Sequence, residues 1–201
     1  MAMPIVLFPG FAEEVMNEPS KLGLLYTAES VGTLLATVTS GWTSRFHHHG
    51  RAVVVASMCW GGAIALVGLA PNAWVAIGFL VLAGAADMIS GIFRSTIWNQ
   101  TIPDELRGRL AGIEMLSYSV GPMGGSARAG LVADATSVRA SIVSGGVLCV
   151  AGVAATAGLL PDFWRYDAQT DEHAVRERKL RARRQAEADA AESGSGVELR
   201  P

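Results

Sequence analysis

Apolar residues in this chain fall into long runs separated by short polar hinges. Five of these runs, at 22–42, 52–70, 74–98, 110–133 and 139–160, reach the length of about 20 residues that an α-helix needs to cross the ~30 Å hydrocarbon core of a bilayer. Within that core every backbone N–H and C=O must be paired inside the segment, so each run is expected to be helical. A sixth run, at 1–11, is about half as long and reads as the end of a span whose beginning is missing. Pro9-Gly10, Ala70-Pro71-Asn72 and Ile102-Pro103-Asp104 punctuate the runs, and connections this short leave neighbouring helices antiparallel. From Pro161 onward the chain turns rich in Arg, Glu and Ala, which suits a solvated, partly helical tail ending in the flexible string Ser193-Gly194-Ser195-Gly196. The pattern predicts an all-α integral membrane protein with a bundle at 1–160 and a charged tail at 161–201.

Charge adds an orientation. If the 44–51 loop is cytoplasmic, twelve Lys and Arg residues of the loops and tail fall on that side and two, Lys21 and Arg139, on the other. Basic residues favour the cytoplasmic side, so the tail is expected there. Trp42, Trp74, Trp98 and Trp164 mark predicted span ends, where an indole favours the headgroup layer; Trp60 lies within a span.

Composition agrees. Hydrophobic residues make up 50% of the 201 and charged residues 17%, with mean hydropathy +0.33. Soluble domains usually carry about a quarter of their residues charged. A net charge of −2 gives no basic field for nucleic acid. Cys59 and Cys149 both sit in apolar runs and read as small membrane-buried side chains, not as a disulfide framework. Met1 to Phe8 lacks the basic start and small-residue cleavage site of a secretory signal.

Ionisable groups inside a membrane are costly and point to function by default. Asp87 and Arg94 are seven residues apart on one helix face, two turns from each other. Asp87 is deep and is a candidate proton carrier. Arg94, one turn from the inner end, either serves the cavity or reaches out to the interface. Glu29 lies two turns into its span. Arg128 either attracts an anionic substrate or pairs with Glu29, while Glu114 is expected at the interface. His47, His48 and His49 in a basic loop are expected to be solvated, since a metal site needs convergent ligands. No metal or cofactor is expected: zincin, Walker A, nucleophile-elbow and dinucleotide patterns are absent. The four-residue spacings Gly32, Ala36, Ser40 and Gly121, Gly125, Ala129 are flat ridges for close helix packing.

The stretch from Asp87 through Arg94 to Thr101-Ile102-Pro103, followed by Arg107 and Gly108-Arg109-Leu110-Ala111-Gly112, resembles the tenth helix and following loop of major facilitator superfamily transporters. It is similar in particular to the branch containing the bacterial enterobactin exporter. Gly121-Pro122-Met123-Gly124-Gly125 resembles the Gly-Pro motif of drug:proton antiporters, with one residue fewer between the proline and the glycine pair. Gly41 to Arg51 resembles a degenerate second copy of the family's cytoplasmic loop, keeping Gly41, Gly50 and Arg51 but lacking its Asp.

The resemblance covers about 1–160 and implies the C-terminal six-helix half of the fold with its first helix truncated. It implies proton-coupled efflux of a small siderophore- or drug-like molecule across the cell membrane, with no enzymatic activity. Glu29, Asp87, Arg94 and Arg128 are the substrate or coupling candidates. Gly41, Arg51, Arg107, Gly108, Arg109, Gly121, Pro122, Gly124 and Gly125 are the gating or packing candidates. Expected partners are the lipid bilayer, a small-molecule substrate, protons, and a missing N-terminal half or second copy. The alternative is a truncated membrane fragment, or a structural or regulatory module, that does not transport.

Overall fold

The computed structural model describes residues 4–17, 19–166, 175–176, 179–180 and 182–187. Asn72 and Ser137 start two of the long helices by accepting hydrogen bonds from Val75 N and Ala140 N at 3.0 and 3.1 Å, which satisfies amides that have no partner inside the helix. Prolines at 71, 103 and 161 stand at or just before helix starts, where the missing N–H costs little. In chain order the helices are α1 (Phe8–Gly10), α2 (Leu22–Thr39), α3 (His49–Leu69), α4 (Ala73–Thr101), α5 (Asp104–Ala135), α6 (Val138–Leu159) and α7 (Pro161–Arg165). A 3-10 turn at Pro4–Leu7 leads into α1, and a π-helical turn at Phe11–Val15 leaves it. Asn17 then adopts a positive φ of 53°, a conformation Asn tolerates, and the chain reverses into α2.

Among the described residues, four helical stretches, Pro19–Thr43, His49–Leu69, Ala73–Thr101 and Val138–Leu159, are long and apolar enough to cross a membrane by length and composition. Helix α5 is the longest at 32 residues, yet it is less apolar, carrying Arg107, Arg109, Glu114, Arg128 and Asp134. Helices extend beyond the apolar runs at several ends. Helix α4 continues to Thr101, because Ile102 N can still donate to Trp98 O before Pro103 stops the ladder.

The body is organised around α3, which packs α4 on one side and α6 on the other, while α2 covers α4. Lipid tails are as apolar as leucine, so dispersion and close approach hold such helices together. Glycine supplies the closeness at α2–α4: a Cβ at Gly32 collides with Val81 O, and one at Gly84 collides with Glu29 O. At α3–α6, a Cβ at Gly146 collides with Gly61 O, and one at Gly61 is held tightly against Cys149. Of the first expected small-residue ridge, Gly32 and Ala36 are buried on the α4 side. Phe8 and Phe11 are fully buried among Leu25, Trp60 and Ile64, so the short N-terminal segment contributes to the core.

Polar contacts also join the helices. Ser57 and Ser90 pair their hydroxyls at 3.1 Å between α3 and α4, and Thr33 donates to Gly84 O at 3.3 Å between α2 and α4. Most other hydroxyls, such as Thr37 to Thr33 O at 2.7 Å, bond back into their own helix.

The two ends of the bundle are chemically distinct. At one, Arg51 faces the Trp164 ring at 5.9 Å, so the 40–51 segment and α7 lie together. At the other, Lys21 lies 4.8 Å from the Trp74 ring. There too, Arg139 donates to Gly68 O and Ala70 O, both at 3.2 Å, placing a cation on the carbonyls that end α3. Cys59 and Cys149 form no disulfide with each other; Cys59 is exposed on the bundle surface, and Cys149 is half-buried with its Sγ 3.9 Å from Ser57 O. The flexible string at 193–196 lies outside the described residues.

Candidate functional site

Two carboxylates meet in one cavity. Glu29 from α2 and Asp87 from α4 line a space of about 400 Å³ with Ile5 and Val6 of the N-terminal turn, Trp60 of α3, and Pro122 and Ser126 of α5. The same two residues line an adjoining groove of about 490 Å³ that follows Ser30, Thr33 and Thr37 along α2. Asp87 is the middle residue of α4, halfway between Ala73 and Thr101. The cavity therefore reaches the depth at which a membrane-spanning helix is farthest from either headgroup layer.

Local packing explains the meeting. Gly84, one turn before Asp87, lets the Glu29 backbone rest directly on α4. Glu29 is half-buried and shares the cavity with Asp87 and the Trp60 ring. Trp60 is only 5% exposed, and its Nε1–H is buried without a hydrogen bond, so the Glu29 contact falls short of bonding geometry. Two carboxyl groups and the indole thus face one cavity whose other walls are mostly apolar. Such a pair can take up a proton or bind a cation, since either relieves the repulsion.

Arg94 lies two turns along α4 from Asp87, on the 40–51 side, with its guanidinium 5.2 Å from the Tyr118 ring of α5. This cation–π contact links the second-last turn of α4 to the middle of α5. Arg128 does not meet Glu29. It donates to Ser144 Oγ and Ser141 O, both at 3.2 Å, and lines a separate cavity of about 480 Å³ between α3, α5 and α6. The physical reason is local: Gly145 leaves room for the guanidinium beside α6. Trp60 stands in the wall between the two cavities.

The remaining candidates are spread widely. Pro122 lines the carboxylate cavity and Gly125 the Arg128 cavity. Gly121 and Gly124 are exposed with open space where a Cβ would stand. Gly41, in the Ser40–Arg45 turn, and Gly108 are exposed and open too. Arg109 is exposed, Arg107 half-buried and Arg51 exposed beside Trp164.

The expectation of a solvated histidine run holds for His47 and His48 and fails for His49. His49 is 7% exposed, with Nε2 2.9 Å from Phe46 O and its ring 5.4 Å from Phe93. As the first residue of α3 it turns inward as the helix begins. The sequence reading passed over Trp60 as a site residue, although it was the tryptophan off the interfacial pattern. Arg139 stood only as a loop charge, and nothing local to it announces the α3 carbonyls it caps.

A bundle of long apolar helices with acidic groups at mid-depth defines a polytopic membrane protein of the transporter class. The Major Facilitator Superfamily model matches residues 1–192, and the chain belongs to that family. It is 28% identical over 145 residues to the multidrug efflux pump Tap of Mycolicibacterium fortuitum, covering 72% of this chain and 35% of that protein. It is 27% identical over 150 residues to the enterobactin exporter EntS of Shigella flexneri, covering 74% of this chain and 37% of that protein. The chain thus spans little more than a third of the curated relatives it matches. No solved structure gives a significant match.

Proposed function

We propose that this chain forms one wall of a transport cavity that exports a small siderophore- or drug-like molecule, driven by proton influx through Glu29 and Asp87. The observation that carries the reading is the convergence of these two carboxylates, from separate helices, on one cavity at the mid-depth of α4. Family membership makes transport the class of function, and the two relatives are efflux proteins by name. In transporters built from repeated bundles the substrate site lies near the bilayer midplane at the interface between repeats. The opposing wall would come from an N-terminal half or a second copy.

Helix α5 is the fifth complete span in this reading. It turns Pro122 and Ser126 toward the carboxylate cavity and Arg128 toward the neighbouring one. The end carrying Arg45, Arg51 and α7 is cytoplasmic, and the tail with it, because the short-loop arginines gather there. Gly121, Gly124, Gly41 and Gly108 are reserved for contacts with the opposing wall.

Reconstitution in liposomes tests the proposal. An imposed proton gradient drives movement of fluorescent drug-like dyes or a catecholate in wild type, and Asp87→Asn abolishes the gradient dependence. Unchanged gradient-driven movement in that variant removes Asp87 from the mechanism.

A further inference from the structure

We propose that a groove between α3 and α4, beside the Ser40–Arg45 turn, binds an anionic phospholipid, with an acyl chain in the groove and the phosphate on Arg51. The groove holds about 420 Å³, and its walls include Trp42, Phe46, Val55, Cys59, Leu82 and Phe93, with Arg51 at the end where α3 begins. That end is aromatic: the rings of Trp42, Phe46 and Phe93 lie 5.9–6.4 Å from one another. Val55, Cys59 and Leu82 are exposed, so the groove opens on the outer surface of the helix pair. From Arg51 to Cys59 it follows α3 for about 12 Å, a rise of 1.5 Å per residue.

An apolar groove left empty forfeits the dispersion contacts of its lining, so something of similar chemistry fills it. In a bilayer that occupant is a lipid chain, which fits without any hydrophobic gain over neighbouring lipid. The headgroup therefore decides which lipid stays. No acidic residue occurs between Glu29 and Asp87, and Arg45 and Arg51 are the charged side chains of that stretch. Arg51 is exposed and offers its guanidinium beside the Trp164 ring. A basic side chain at the headgroup level favours anionic over zwitterionic lipid by about fivefold. Trp42, 46% exposed at the same end, sits where an indole prefers the interface.

The test uses the full chain in vesicles of phosphatidylcholine doped with brominated phosphatidylglycerol or brominated phosphatidylcholine. The Trp42 emission is taken as wild type minus Trp42→Phe. The expected result is half-quenching at about a fivefold lower fraction of the brominated anionic lipid, lost in Arg51→Gln and kept in Arg51→Lys. Equal quenching by both brominated lipids in wild type overturns the proposal. So does the absence of quenching, which would mean that a protein segment covers the groove. Retention of the preference in Arg51→Gln would also overturn the assignment of the headgroup to Arg51.

Discussion

Gly84 carries the backbone of Glu29 against helix α4, and a side chain at position 84 would strike the Glu29 carbonyl. The acidic pair therefore depends on a residue with no chemistry of its own. Gly84→Leu is expected to force α2 from α4 at a cost of about 1–3 kcal/mol. Gly78→Leu, on the same helix but with open space at its Cβ, should stay within about 0.5 kcal/mol of wild type. Thermal unfolding in detergent compares the two, and equal losses would contradict the close-packed crossing.

Trp60 separates shape from hydrogen bonding. Its ring fills the core, while its buried N–H has no bonding partner. Trp60→Phe removes that donor, and the protein is expected to retain its stability within about 1 kcal/mol. Trp60→Ala leaves a cavity and should cost about 3–5 kcal/mol. Denaturation midpoints of the two variants check the order.

Arg139 bridges α6 to the end of α3. Arg139→Gln gives up charge-assisted bonds to Gly68 O and Ala70 O and is expected to cost about 1–2 kcal/mol, the half-buried setting holding it below the range for buried pairs. Hydrogen exchange of the amides at 66–70 should rise in this variant. Unchanged protection would show that water caps α3 equally well.

Orientation is tested by chemistry from either side. With Cys59→Ser and Cys149→Ser as background, His47→Cys should react with an impermeant maleimide in inside-out vesicles, and Asn72→Cys in right-side-out cells. Both parent residues are exposed, at opposite ends of α3. The reverse pattern would overturn the proposed topology.

Much of the fold was legible because the bilayer imposes a simple rule on backbone polar groups, and hydropathy reports it directly. Runs such as 52–70 and 139–160 lie within α3 and α6 apart from their last residue. Glycine at 32 was legible as a packing residue for the same reason. Glu29 and Asp87 stood out as costly charges, but their meeting did not, since it depends on the α2–α4 crossing. Arg128 shows the limit most clearly: Glu29 and the α6 carbonyl of Ser141 are equally plausible partners until the helices are placed. His49 was misread because a run of three identical side chains conceals where the helix starts.

The central claim is that Glu29 and Asp87 couple proton flow to export. The most direct measurement is proton-gradient-driven dye movement by the reconstituted transporter, comparing wild type with Glu29→Gln, Asp87→Asn and the double variant. The account predicts that each single variant slows gradient-driven movement by about tenfold or more, equivalent to about 1.4 kcal/mol of barrier. It also predicts that the double variant is no worse than the more severe single one, as expected of residues acting as a unit. Wild-type rates in either single variant would contradict it.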